Sequence, residues 1–129
     1  VSIEQNKAVV RRFVEVLSGG DPSVVDELLA PNYVNHGMGD ADLATFKAML
    51  PAAAAAMPGR RMDVHDLVAE GDAVVIRFTF EYTFANGEHL SGRGITYYRL
   101  SDGRIVEDDP ITTPDLAELL ATHLGGPGA

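Results

Sequence analysis

The stretch "VVIRFTFEYTFANGEHLSGRGITYYRL", Val74 to Leu100, decides how this chain folds. Its first part alternates cleanly. Ile76, Phe78, Phe80, Tyr82 and Phe84 share one parity, and Arg77, Thr79, Glu81 and Thr83 share the other. Successive side chains of a strand point to opposite faces, so this is a strand with one buried and one wet face. Asn86-Gly87 follows, the strongest short signal for a hairpin. The chain then returns as "HLSGRGITYYRL", a second long strand.

Outward from the hairpin, the same grammar continues on both sides. "MDVHDLVA" from Met62 is a strand and "EGDA" a turn. "SDG" is another turn, and "RIVEDD" from Arg104 the last strand. Upstream the period changes to that of helices. "SIEQ", Ser2 to Gln5, has the form of a capping box, and Val9, Val10, Phe13, Val16 and Leu17 recur behind it at helical spacing. Gly19-Gly20 stops that helix. Asp21-Pro22 starts another, with Asp as cap and Pro at the first helical position, and Pro31 ends it. "NYVNHG", Asn32 to Gly37, is a short extended segment. A third helix starts at Asp40, carries Leu43, Phe46 and Leu50, and is expected to kink or restart at Pro51. Thr113-Pro114 is expected to cap a terminal helix striped by Leu116, Leu119, Leu120 and Leu124, and residues 125–129 read as a disordered tail.

The order is three helices, an antiparallel meander and a terminal helix. Segregated helices and strands mean an α+β fold. A long curved meander around helices makes a cone with an open mouth. The 129 residues suit one domain and can bury a core without staples. No repeat or linker divides them.

Composition narrows the function. There is no cysteine, hence no disulfide, thiolate metal site or Cys nucleophile. The formal charge of −9 argues against nucleic acid and against an anionic membrane surface. No apolar run approaches the ~20 residues of a membrane span, and no basic-then-apolar leader stands at the start. Cytoplasm is the expected compartment. No His and carboxylate pair shows ligand spacing, so no metal site is expected.

The end of the last strand is unusual. "RIVEDDP" closes on Glu107, Asp108, Asp109 and Pro110, although strands disfavour Asp and Pro. Strict alternation puts Val106 with Asp108, and Ile105 with Glu107 and Asp109. Two readings follow. The acids are a solvated strand end, or one carboxylate enters a pocket. In an apolar pocket its charged form is disfavoured and its pKa rises, which suits acid/base work. Among the histidines, His36 ends a segment that crosses the mouth between two helices. His65 is out of phase with Met62 and Val64 and should face solvent. His89 and His123 look superficial.

The stretches "NKAVVRRFVEVLSGGD", "VDELLAPNYVNHG", "DLVAEGDAVVIRFTF", "GRGITYYRLSDGRIVE" and "LAELLATHLG" together resemble the SnoaL-like polyketide cyclases, within the nuclear-transport-factor-2-like cone-fold superfamily. The resemblance implies a curved, mixed or antiparallel sheet wrapped around N-terminal helices, often dimeric through the outer sheet. It implies an apolar pocket for a small apolar molecule, and chemistry with no cofactor. His36 falls where such sequences have a pocket His, and Thr96 where a pocket Asp is frequent. Phe84 replaces a frequent pocket His, and Phe13 falls where related isomerases have an oxyanion Tyr. "IVEDDP" puts Asp108, Asp109 and Pro110 at the family's His, Trp and Asp.

The expected function is therefore acid/base catalysis of cyclisation or isomerisation of a polyketide-type substrate. Asp108 would be the acid/base, with His36 its partner across the pocket. Thr96 and Tyr98 would orient the substrate, against a lining of Phe13, Leu17, Tyr33, Phe46, Leu50, Phe78 and Tyr82. The alternatives are a binding or dimerisation module without chemistry, and opening of an epoxide by water activated on a carboxylate.

Overall fold

The computed structural model describes residues 1–116, 118 and 119. Three α-helices precede the main strands: α1 (Ile3–Leu17), α2 (Val25–Leu28) and α3 (Leu43–Ala56). Between them lie β1 (Leu29–Asn35) and the two-residue β2 (Ala41–Asp42), followed after α3 by β3 (Gly59–Glu70), β4 (Ala73–Thr83), β5 (His89–Ser101) and β6 (Arg104–Thr113). They form a six-stranded sheet in the order β2-β1-β6-β5-β4-β3. Only β1 and β6 run parallel; the other neighbours are antiparallel. The sheet curls around α1, with α3 across β1. Among the described residues, no helix is long and apolar enough to cross a membrane.

The α1 cap is as expected: Ser2 accepts from the Gln5 amide, and the Gln5 side chain accepts in return from the Ser2 amide at 2.7 Å. Val10, Phe13, Val14 and Val16 are buried on its inner side. Three expectations are corrected here. The second helix does not reach Pro31. Pro22–Val24 is a 3₁₀ turn, α2 ends at Leu28, and Leu29 already pairs with Ile105. Leu29 and Ala30 are both buried there. The third helix is capped by Asp42, not Asp40, and it runs through Pro51 without interruption. Thr113 belongs to β6 instead of capping a helix. The Asp115 side chain caps the Glu118 amide, and Thr112 accepts from the Leu116 amide. The expectations for Leu120, His123, Leu124 and the tail lie outside the described residues.

The decisive hairpin folds as its alternation requires. Val74, Ile76, Phe78, Phe80, Tyr82 and Phe84 are all buried, and they pack with α1, Tyr98 and Leu100 into one core. Two glycines allow the strong curvature. Gly92 lies opposite Phe80 and Gly94 opposite Phe78. A Cβ on Gly92 would stand 2.6 Å from the Phe80 ring, and one on Gly94 2.8 Å from the Phe78 ring. The phenyl rings thus lean over β5 into space that any other residue would fill. Replacing Gly94 with Ala should cost roughly 1–3 kcal/mol in urea unfolding, through overpacking. Ser91→Ala, on the wet face, should stay within about 0.5 kcal/mol.

Candidate active site

The concave side of the sheet encloses a pocket of about 410 Å³. Asp108 forms part of its wall and is only 4% exposed. Strict alternation does not explain this, because a bulge intervenes. Arg99 pairs with Glu107 and Leu100 with Ile105, leaving Val106 as the extra residue. Ile105 and Asp108 therefore share the inner face, Val106 is buried too, Glu107 is turned outward and Asp109 is exposed. A bulge re-aims a strand's side chains, and here it brings one acid inside.

The partners of Asp108 come from β1. The Tyr33 hydroxyl donates to Asp108 Oδ2 at 2.7 Å. The Asn35 amide donates to the Tyr33 oxygen at 3.1 Å and reaches Oδ2 at 3.4 Å. Tyr33 and Asn35 are two residues apart, so both face inward, and the parallel register sets Asn35 beside Asp108. Asp108 Oδ1 has no hydrogen-bond partner among the described residues, which leaves it for the pocket. Burial pushes the Asp108 carboxyl up from 3.8 to about 7; the Tyr33 hydrogen bond opposes this, and the Asp109 charge adds to it. Tyr33 and Tyr98 are both pushed up, first by burial and then by the Asp108 charge, so both stay protonated donors.

His36 is not the partner of Asp108. Alternation from Tyr33 and Asn35 turns it to the outer side of the mouth. Its Nδ1 meets Asp40 at 2.7 Å and its Nε2 meets Glu107 at 3.2 Å. These two contacts, Asp40 first, raise its pKa. Glu107 is held low mainly by Arg99, at 2.7 Å, and then by His36. His36 thus borders the pocket but ties the 3₁₀ turn His36–Met38 to β6.

The other expected residues divide. Leu17, Phe46, Phe78, Tyr82, Thr96 and Tyr98 line the pocket. Phe13 and Tyr33 lie behind it in the core, their rings 5.7 and 5.4 Å from Phe46. Leu50 borders a neighbouring cavity. Asn35, Met38, Met62, Pro110 and Leu116 also line the pocket and were not foreseen. Asn35 had a visible signal: it shares the parity of the buried Tyr33. Pro110 sits just past the point where β1 stops pairing with β6, so its missing N–H falls on an edge, where proline is tolerated. His65 faces solvent as expected and contacts Thr79 at 2.8 Å.

Residues 10–108 match the family model described as a SnoaL-like domain. The chain belongs to the SnoaL-like domain family. No curated protein matches it in sequence. Among solved structures, a proposed polyketide cyclase from Acidithiobacillus ferrooxidans is 26% identical, with a TM-score of 0.74 over 95% of this chain and 99% of that one. IdmH from Streptomyces antibioticus, also a proposed polyketide cyclase, is 27% identical, with a TM-score of 0.72 over 89% and 98%. A nuclear-transport-factor-2-like protein of unknown function from Burkholderia pseudomallei has a TM-score of 0.74 at 18% identity, over 93% and 97%. The expected α+β cone fold is shared with these solved structures.

In this SnoaL-like pocket, the raised Asp108 value has a measurable consequence. The native state holds the proton more tightly than the unfolded chain. Its contribution to stability is complete below 3.8 and is lost as pH rises through about 7. The loss is on the order of 4 kcal/mol. Asp108→Asn should therefore gain clearly more stability over the parent protein at about pH 8 than at about pH 5 in urea unfolding. A difference independent of pH would contradict a raised value. Tyr33→Phe should move the Asp108 titration, followed by carboxyl NMR, still higher.

Proposed function

We propose that this SnoaL-like protein is an acid/base enzyme that moves a proton on an apolar, polyketide-type carbonyl substrate, without a cofactor, to drive ring closure or isomerisation. The observation that carries this reading is Asp108: buried in the wall of an apolar pocket, with burial pushing its carboxyl up to about 7. At that value both protonation states are populated near neutrality, so one group can take a proton and return it. Tyr33 and Asn35 hold Oδ2, which leaves Oδ1 to meet the substrate.

Abstraction of a proton next to a carbonyl makes an enolate, whose oxygen needs a donor in place. Tyr98 and Thr96 are the candidates. Both are buried on the inner face of β5, with Tyr98 directly opposite Asp108 and Thr96 opposite Pro110. Phe46, Phe78, Tyr82 and Leu17 supply an apolar, water-poor wall. His36 contributes at the mouth by holding the 3₁₀ turn against β6, not by exchanging protons with Asp108. The solved relatives described as proposed polyketide cyclases support the substrate class.

A specific observation favours keeping one further reading. A carboxylate flanked by a phenol and an amide can also hold and activate a water for epoxide opening. That reading lacks a clear acid for the leaving oxygen, because Thr96 and Tyr98 are weak acids and Arg77 lies on the outer face with Asp66, 2.7 Å away. It ranks second.

Proton exchange of 2-tetralone in deuterated water, followed by NMR, tests the first reading. The protein should accelerate exchange, with a rate that climbs with pH about a midpoint near 7. Asp108→Asn should lose about 100-fold or more, and Tyr98→Phe less. An Asp108→Asn variant as fast as the parent would sink the proposal.

The outer face of the sheet suggests a homodimer. Ile95 (52% exposed) lies opposite Ile111 (76%), with Tyr97 and Val68 also exposed. Sedimentation should find a dimer that Ile95→Glu with Ile111→Glu converts to a monomer.

A further inference from the structure

A second cleft, of about 550 Å³, lies between the end of α1, the outer side of α3 and the start of β3. Arg60 stands in its wall. Strand alternation turns Arg60 inward, opposite Tyr82, while its neighbour Arg61 faces out and pairs with Asp63 at 3.0 Å. An inward guanidinium is costly unless something pairs with it. Arg60 makes no ion pair among the described residues, and its Nε is buried with no hydrogen-bond partner.

The other charges of the cleft are already engaged. Lys47 is held by Asp26 at 2.9 Å. Asp21 accepts from the Ser23 amide at 2.9 Å and from its hydroxyl at 2.8 Å. The remaining wall is largely apolar, through Val16, Leu50, Pro51 and Ala54. Gly19 faces the guanidinium: a Cβ there would stand 3.8 Å from Arg60 Nη2. The cleft therefore offers one unpaired planar cation beside an apolar floor.

We infer that Arg60 anchors the carboxylate of a small amphipathic ligand whose apolar body lies along Leu50, Pro51 and Ala54. A guanidinium matches a carboxylate with two parallel hydrogen bonds. Asp21 in the same wall disfavours a multiply charged group such as phosphate. The site is separate from the Asp108 pocket. A small cavity of about 80 Å³ lies between them and shares Leu17, Phe46 and Tyr82 with the pocket, and Leu50 and Arg60 with the cleft.

The test titrates octanoate, with octanamide as its neutral match, into the isotope-labelled protein. Octanoate should shift the Gly19, Gly20 and Lys47 amides and bind about tenfold more tightly than octanamide, as expected for a charge-assisted pair. Arg60→Gln should lose that advantage, Arg60→Lys should keep part of it, and Asp108→Asn should keep all of it. Equal binding of octanoate and octanamide would overturn the inference. So would unchanged octanoate binding to Arg60→Gln, or shifts confined to Thr96 and Thr112 of the Asp108 pocket. If Arg60→Gln does not fold, the two probes on the parent protein decide the matter. Because Asp108→Asn is expected to bind octanoate normally, failure here leaves the catalytic reading standing.

Discussion

A carboxylate is buried where β1 and β6 run side by side, and its hydrogen bond to Tyr33 links those two strands through their side chains. Leaving such a group without a donor would cost several kcal/mol. The parallel register meets that demand by setting Tyr33 and Asn35 on the same face as Asp108. Much of the local architecture serves this one contact. α2 stops early so that Leu29 can pair. The bulge at Val106 then turns Asp108 inward, and the chain leaves β1 just where Pro110 needs an edge.

The same contact bears on the protonation of the pocket's buried carboxyl. Burial favours the neutral acid and outweighs the Tyr33 hydrogen bond, which favours the carboxylate, so the group is pushed up to about 7. A wholly apolar setting would leave Asp108 a permanent acid, and a wet one would leave it a permanent anion. Outside the sheet the neighbouring Glu107 has the opposite fate. It is paired with Arg99 and His36 and held ionised. One residue of offset across a strand separates a carboxylate ion-paired outside the sheet from one buried against the pocket.

The two cavities differ in how they treat charge. The main pocket holds one buried carboxyl, Asp108, with the exposed Asp115 also on its wall, and the buried carboxyl's donors come from the inner face of β1. The cleft behind α3 contains Arg60, a cation with no ion pair among the described residues. Among the described residues, Arg60 and Asp108 are thus inward-facing ionisable side chains with no ion pair.

The meander was legible in the chain alone, because Val74 to Leu100 repeats with period two and buries one parity. The capping box of α1 was equally plain, since it is a local contact. The inner placement of Asp108 came from the family resemblance, because alternation by itself divided the acids without choosing a face. Four points were beyond local reading: the early end of α2, the continuity of α3 through Pro51, the bulge at Val106, and the pairing of His36 with Asp40 and Glu107. All but the continuity of α3 and the His36–Asp40 contact depend on which strand lies alongside, and that partner is distant in sequence. Tyr33 and Asp108 are separated by 75 positions and meet only through the parallel pairing of β1 with β6. Local periodicity determined which residues seek the interior; the sheet's register decided which of them face one another there.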